Sequence, residues 1–292
     1  MKAYLDAVRE VLDKGTRKEN RTGVDTLSTF NINYEIDLRE GFPLLTTKEI
    51  SWKNIVVENL WFLSGDTHID LLRKHGCKFW DPWADGDGRV PSAYGNFWRN
   101  FPVHENGEIA FNDQVAWVLA ELQRNPMSRR LVISAWAPGN AQQSGLPPCH
   151  CLYMFNVQID AAGEPMLCLH LTQRSCDIGL GVPYNIAGYA FLLELFSRFS
   201  GIKAGIFAHT LVDAHIYTAK PDGSMAEYDH VPGLREQLKR EPRPLPRLKI
   251  SPAVSKLDDI HALLDADTDT VMKHFELEGY NPHPPIKFKV AV

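Results

Sequence analysis

The stretch 52–63 constrains the fold most strongly, because its side chains are apolar around nearly the whole circumference of a predicted helix. The apolar positions are Ile55, Val56, Val57, Leu60, Trp61, Phe62 and Leu63. Such a helix must be covered on all sides, and a chain of 292 residues is long enough to provide that cover. The sequence contains no linker, internal repeat or low-complexity tract. We therefore expect a single domain over residues 1–292.

One carboxylate interrupts this apolar helix. Glu58 lies in its middle, and a buried carboxylate is costly unless it is paired or used. Burial also raises the pKa of a carboxyl group toward neutral pH. Two interpretations stay open for Glu58: a structural salt bridge, and an acid–base group of an active site.

Cys149 is the candidate nucleophile. It follows a rigid Pro-Pro turn and precedes an apolar run, residues 152–157, that is predicted to be a buried strand. A cysteine at the mouth of a strand is held in place while its sulfur stays approachable. Because the thiolate is the reactive form, we expect arginines such as Arg129, Arg130 and Arg174 to lower its pKa. The alternative is a buried structural thiol.

Composition narrows the classes of function and the compartment. The formal net charge is −5, which argues against nonspecific binding to nucleic acid or to an anionic membrane. The five cysteines form no disulfide framework, and the spacing Cys149-His150-Cys151 is too short for a usual zinc site. No apolar run has the length of a signal core or a membrane span. We expect a cytoplasmic protein (in the host cytoplasm if it is viral) with reduced thiols and no metal.

Polar residues at the ends of predicted elements are candidate ligand contacts. Arg174 and Ser175 end a strand and together offer a donor fork and a hydroxyl, which suits a phosphate. Asn185, near a predicted helix start, is either an N-cap or an amide that reads a uracil edge. His215 and Tyr217 alternate along a strand and hence share one face.

The pattern also predicts most elements. Helices are expected at 3–13, 52–63, 115–122 and 186–199, and strands at 27–38, 131–136, 152–160, 166–172, 206–212 and 248–250. Residues 102–112 and 218–233 are predicted surface excursions. Aromatic groups at 79–83 and 94–98 flank a Gly/Asp-rich loop. These side chains either form a platform for a flat heterocycle or pack in the core. The apolar carboxyl terminus is expected to dock on the protein.

Several motifs occur together in one order along the chain. They are Asn20–Gly23, Phe42–Lys48, Glu58 with Leu60–Leu63, Trp80 with Trp83, Ser128–Arg130, Pro148–His150, Gln173–Asp177, Pro183–Ala187 and Asp213–Tyr217. Over residues 2–292 they resemble folate-dependent thymidylate synthases, of the thymidylate synthase and pyrimidine hydroxymethylase superfamily. The resemblance implies an α/β (α+β) single domain in which helices flank a large twisted mixed β-sheet. It also implies a homodimer that packs sheet to sheet.

The resemblance assigns roles to particular residues. It implies a catalytic group made of Cys149, Glu58, Asp177, Tyr94 and His150. It implies nucleotide binding by Arg21, Gln173, Arg174, Ser175, Asn185, His215 and Tyr217, with Arg129 and Arg130 reaching in from the partner subunit. It implies folate binding by Phe79, Trp80, Asp177, Leu180, Gly181, Tyr184 and Ala291. The implied co-substrates are a dUMP-like nucleotide and 5,10-methylenetetrahydrofolate.

The implied reaction starts when Cys149 adds to carbon-6 of uracil, so that carbon-5 can attack the one-carbon unit of the folate. Hydride from the same folate then gives dTMP and dihydrofolate. Several residues depart from the usual pattern of the family: Glu49, Ser92, Ala137, Gly188 and Val212. A serine beside Tyr94, at position 92, and lost side chains at 137 and 188 could admit a water that captures the methylene, as in a dUMP hydroxymethylase. A catalytically inactive nucleotide-binding or RNA-binding homologue is the third possibility.

Overall fold

A computed structural model describes residues 1–141 and 146–291 of the chain. The sequence predicts a polar, Gly-containing loop at 139–145, and residues 142–145 of that loop lie outside the described residues, as does the terminal Val292. The helices described are α1 Lys2–Lys14, α2 Trp52–Ser64, α3 Asp70–Lys74, α4 Tyr94–Arg99, α5 Gln114–Arg124, α6 Pro138–Ala141, α7 Gly181–Ser200, α8 Val231–Gln237, α9 Asp259–Asp265 and α10 Thr268–Lys273. Among them, none combines the length and apolarity needed to cross a bilayer.

The described strands form one large mixed sheet, one hairpin and a separate antiparallel pair. They are β1 Thr16–Lys18, β2 Asp25–Asp37, β3 Phe101–Glu105, β4 Glu108–Asn112, β5 Val132–Ser134, β6 His150–Ile159, β7 Pro165–Gln173, β8 Cys176–Asp177, β9 Lys203–Thr218, β10 Arg247–Ile250 and β11 Phe275–Glu278. The large sheet has the order β1-β2-β9-β7-β6-β5, and β8 pairs with β9. The hairpin consists of β3 and β4, and the separate antiparallel pair consists of β10 and β11. The α/β class and the large mixed sheet expected from the resemblance are therefore present.

The order of the sheet explains where α7 lies. Strands β7 and β9 are parallel neighbours, so the chain must cross from one end of the sheet to the other between them. Helix α7 makes that crossover, and thirteen of its side chains are buried. The apolar helix predicted at 52–63 is α2, and its residues from Ile55 to Leu63, apart from Glu58, are buried in the same core.

One face of the sheet lies against helices α1 and α7, whereas the other is left partly open in the single chain. On β7 and β9 the fully buried residues alternate with half-buried ones. The half-buried set includes Cys168, His170, Thr172, Ala208 and Thr210. Arg129 borders this open face together with Leu131 and Val132.

Some sequence-based boundaries were wrong, and the causes differ. Strand β9 continues past the predicted end at residue 212, because Asp213, His215 and Tyr217 each pair with β2. The predicted strand 206–212 and the residues that follow it are therefore one strand. Residues 101–112 form the exposed hairpin of β3 and β4. Helix α7 begins at Gly181, because Pro183 fits within a first helical turn. Asn185 is therefore inside the helix and is not its N-cap.

A close approach between α2 and α4 leads to a stability prediction. A Cβ atom at Gly95 would lie 2.1 Å from the Phe62 carbonyl oxygen. Replacing Gly95 with Ala must therefore push α4 away from α2, and we expect the free energy of unfolding to fall by about 1–3 kcal/mol. Urea denaturation measures the change. The control is Gly86→Ala, where no atom lies within 4 Å of the added Cβ; equal stability of the two variants would contradict the prediction.

Candidate active site

Cys149 lies immediately before β6, where the pairing of β6 with β7 shifts register between His150 and Leu152. The Cys149 side chain is only partly buried, which disfavours the alternative of a sealed structural thiol. Its backbone N–H donates to the Tyr94 hydroxyl at 3.1 Å. A guanidinium nitrogen of Arg174 lies 3.8 Å from the Cys149 sulfur.

Arg174 is held in this place by backbone rather than by the sulfur. Its Nε donates to the Pro148 carbonyl at 2.9 Å, and its Nη2 donates to the Pro147 carbonyl at 2.7 Å. The Pro-Pro turn thus has a function that the sequence did not reveal, since it fixes a cation beside the sulfur.

The pKa of Cys149 differs from the sequence-based expectation. Burial raises it above the ordinary value, and Arg174, Tyr94 and Arg21 only partly offset that effect. The expectation of a lowered pKa was therefore wrong in its net direction, because desolvation of a thiolate outweighs a guanidinium at 3.8 Å. The resting sulfur is a thiol, so it must give up its proton as it reacts.

Two rings stack beside the sulfur. The Tyr94 and His150 rings are 4.6 Å apart at an interplanar angle of 10°. Burial lowers the pKa of His150 to about 3, although a hydrogen bond with Asn185 opposes the shift. His150 is consequently neutral at physiological pH and serves as a polar, uncharged neighbour of Cys149.

Glu58 is a titrating group near neutral pH. Burial raises its pKa to about 7, and a hydrogen bond from Trp80 opposes the shift. The Trp80 indole Nε1 donates to the Glu58 Oε1 at 2.8 Å. The partner of this carboxylate is thus an indole rather than the cation of a structural salt bridge. Trp80 itself is buried against Trp61, Phe62 and Tyr94.

Asp177 is a charged group at the end of β8, shortly before α7 begins at Gly181. Its carboxylate accepts the backbone N–H groups of Gly179 at 3.0 Å and Leu180 at 3.1 Å. Burial opposes its ionisation, but the neighbouring His230, His215 and Leu180 amide together keep the pKa of Asp177 below its usual value. Asp177 therefore offers a fixed negative charge to a ligand.

Six of the remaining nucleotide candidates divide into three groups. Arg21 and Ser175 both act on the pKa of Cys149, so they lie around the same centre as Arg174. His215 and Tyr217 are neighbours, with ring centroids 5.4 Å apart. Arg129 and Arg130 are exposed, and Arg129 lines the open sheet face instead.

The remaining folate candidates lie in an aromatic pair, at the start of α7 and in the carboxyl-terminal segment. Phe79 and Tyr184 make an edge contact with ring centroids 5.1 Å apart. Leu180 and Gly181 lie where α7 begins. Near Ala291, the Lys289 carbonyl accepts from His230 Nε2 at 2.9 Å. The described part of the carboxyl terminus is thus docked on the protein.

Sequence reasoning missed two residues here. Lys48 is buried, and its Nζ donates to the Gly179 carbonyl at 2.6 Å. Burial lowers the pKa of Lys48 to about 8, and the charge of Asp177 opposes the shift. His230 lies 3.7 Å from Asp177. Lys48 ends one of the motifs quoted above, whereas His230 lies in a stretch predicted to be a loop and carried no signal.

With this geometry in view, the comparison with known families is decisive. The sequence model of the family described as thymidylate synthase matches residues 2–292. The chain belongs to the thymidylate synthase family. This confirms the resemblance seen in the motifs. Thymidylate synthase family members are enzymes of one-carbon transfer to dUMP, and their co-substrate is methylenetetrahydrofolate.

Gly188 is one of the departures from the family pattern, and a neighbouring side chain occupies the space beside it. A Cβ atom at Gly188 would lie 2.9 Å from Asn59 Nδ2. Asn59 is buried, and its Nδ2 donates to the Ile55 carbonyl at 2.8 Å. The space beside Gly188 is thus occupied by the Asn59 amide, which removes one of the three places considered above for an extra water.

Proposed function

We propose that this protein is a thymidylate synthase, converting dUMP and methylenetetrahydrofolate into dTMP and dihydrofolate. The observation that carries the proposal is that Tyr94 connects two pairs of groups. Its hydroxyl accepts from the N–H of Cys149, whose sulfur lies beside Arg174, and its ring packs against Trp80, which donates to Glu58. The methyl product is favoured over the hydroxymethyl product because Trp80 is buried and Asn59 fills the space beside Gly188. Both features restrict the access of water.

Each residue has a defined part in this reaction. The Cys149 sulfur adds to carbon-6 of the uracil and loses its proton, which makes carbon-5 nucleophilic. Glu58, with a pKa of about 7, holds and moves protons around the pyrimidine. Methylenetetrahydrofolate supplies both the one-carbon unit and the hydride when it is bound. The Cys149–carbon-6 bond breaks when the methyl group is complete.

The nucleotide is held by charge and hydrogen bonds. Arg21, Arg174 and Ser175 bind its phosphate, and His215 with Tyr217 binds its sugar hydroxyl. Asn185 binds the pyrimidine edge. On the folate side, Asp177 meets the pterin, and the segment ending at Ala291 covers it.

The product assay tests the proposal directly. The enzyme is incubated with dUMP and methylenetetrahydrofolate, and both products are identified. We expect dTMP and dihydrofolate in equal amounts. Tetrahydrofolate with 5-hydroxymethyl-dUMP would overturn the proposal in favour of the hydroxymethylase, which the small residues Ser92 and Ala137 favour. Failure to form a covalent adduct with 5-fluoro-dUMP and the folate would indicate the inactive homologue.

We further propose that the active unit is a homodimer joined through the open sheet face. Arg129 borders that face rather than the Cys149 site of its own chain, which supports its use by the partner. The face also carries half-buried apolar residues such as Cys168 and Ala208. Each site is then incomplete in a single chain.

Subunit mixing tests the shared site. Neither Cys149→Ala nor the double variant Arg129→Ala, Arg130→Ala should be active alone. Refolding an equal mixture makes half of the dimers mixed, and each mixed dimer has one intact site, so we expect about one quarter of wild-type activity. Turnover of the mixture measures this. An inactive mixture would show that both arginines serve their own chain.

A further inference from the structure

A chain of hydrogen bonds runs from the sheet to the pyrimidine candidate Asn185. The Tyr34 hydroxyl lies 2.8 Å from His209 Nδ1, and His209 Nε2 lies 3.0 Å from Gln173 Oε1. Gln173 Nε2 lies 3.0 Å from Asn185 Oδ1. Tyr34 and His209 are directly opposite each other on β2 and β9. His209 and Gln173 are only 1% and 3% exposed, so water competes little for these bonds.

The direction of each hydrogen bond follows from the chemistry of the groups. Gln173 Nε2 also donates to the Ser175 carbonyl at 3.0 Å, and a carbonyl can only accept. The nitrogen of the Gln173 amide is therefore fixed on that side, and its oxygen faces His209. Burial holds the pKa of His209 well below its usual value, so the ring is neutral and has one N–H. His209 Nε2 must donate to Gln173, and Nδ1 accepts the Tyr34 hydroxyl.

This direction fixes the orientation of the Asn185 amide. Because Gln173 presents an N–H, Asn185 must turn its oxygen toward Gln173. A side-chain amide offers one donor and one acceptor to a ligand, in an order that reverses when the amide flips. Uracil presents a ring N–H beside a carbonyl, whereas cytosine presents a ring acceptor beside an amino group. One orientation of the amide suits uracil, and the flipped orientation suits cytosine.

We propose that Tyr34 and His209 are positioning residues that, together with the Ser175 carbonyl, set the orientation of the Asn185 amide and so determine the choice of uracil over cytosine. The inference rests on the proposed function, in which Asn185 binds the pyrimidine edge of dUMP. Neither residue carries out the reaction. They act through Gln173, whose amide would present the opposite polarity to Asn185 if it flipped.

The two residues contribute unequally. Loss of the His209 donor leaves the buried Gln173 oxygen without its partner. The free-energy cost of this unpaired acceptor shifts the equilibrium between the two orientations of the Gln173 amide by roughly tenfold or more. Loss of the Tyr34 hydroxyl removes only the preference for one tautomer of His209. Both His209 and the Ser175 carbonyl then remain beside the Gln173 amide. We therefore expect a smaller effect, about threefold, from Tyr34→Phe.

The experiment compares dUMP with dCMP. For the wild type, His209→Phe and Tyr34→Phe, it measures kcat/KM for both nucleotides and their Kd without folate. We expect the ratio of dUMP to dCMP to fall about tenfold in His209→Phe and about threefold in Tyr34→Phe, mainly through KM and Kd. His209→Gln keeps a side-chain N–H donor and should recover most of the ratio.

A matched control separates specificity from general damage. His75 is buried like His209, and its ring nitrogens lie 3.0 Å from Thr268 Oγ1 and 3.0 Å from the Leu264 carbonyl oxygen. His75→Phe should leave the ratio unchanged. If His209→Phe does not fold, Tyr34→Phe, which removes a single hydroxyl, decides the question.

Two kinds of failure are distinguishable. If the variants weaken dUMP and dCMP equally, Tyr34 and His209 have only a structural part and the inference is overturned. If the wild type itself prefers dCMP, the proposed substrate is wrong. The relay then still predicts that His209→Phe shifts the ratio, but toward dUMP.

Discussion

Replacing Cys149 with Ala should lower turnover by roughly 10⁴-fold or more while the affinity for dUMP stays nearly unchanged. In the proposed reaction the sulfur is the atom that bonds to the pyrimidine, so nothing else in the site would replace it. The phosphate site should survive because Arg174 is anchored on the Pro147 and Pro148 carbonyls and not on Cys149. Formation of dTMP and the Kd for dUMP are the two measurements.

Cys151 provides the matched control, since it is a free and only partly buried thiol two residues further along the chain, on β6. Cys151→Ala should keep turnover within about threefold of the wild type, as for a substitution away from the reacting atoms. Comparable losses in the two variants would contradict the assignment of the nucleophile. Loss of dUMP binding in Cys149→Ala would contradict the separate anchoring of Arg174.

Replacing Glu58 with Gln should lower kcat/KM by about 10²–10⁴-fold, the usual contribution of a positioned acid–base group. It should also change the pH dependence. The pKa of Glu58 is about 7, so the group is mainly protonated below that pH and mainly charged above it. The wild-type kcat/KM should bend near pH 7, and the Gln variant should lack this bend. A pH profile of kcat/KM from pH 5 to 9 measures it.

Stability gives a second readout with a defined sign. The pKa of Glu58 rises from 4.5 to about 7 on folding, so the folded state binds this proton more tightly. The contribution of Glu58 to stability is therefore lost as the pH rises from about 4.5 to about 7. Glu194 on α7 has a pKa likewise raised by burial to about 7. Glu194→Gln should change the pH dependence of stability but not that of kcat/KM. If Glu58→Gln retains the bend in kcat/KM near pH 7, Glu58 is not the source of that bend.

Much of the fold was predictable where the pattern is local. The all-round apolar stretch 52–63 required a buried helix, and α2 spans Trp52–Ser64. The strand after Cys149 and the alternation of His215 with Tyr217 also follow from short-range patterns. In contrast, helices α9 and α10 were not predicted, and the start of α7 at Gly181 was missed because Gly and Pro near position 183 favour a turn.

The sequence by itself determined the family and the burial that raises the pKa of Glu58, and it predicted Cys149 and Glu58 as the reactive groups. These depend on residue type and on neighbours within a few positions. Tertiary structure alone decided that burial outweighs Arg174 at the Cys149 sulfur, and that Asn59 fills the space beside Gly188. It also decided that Tyr34 meets His209 across 175 residues of chain. Desolvation and hydrogen-bond direction depend on atoms brought together by the folded chain, and local sequence does not specify them.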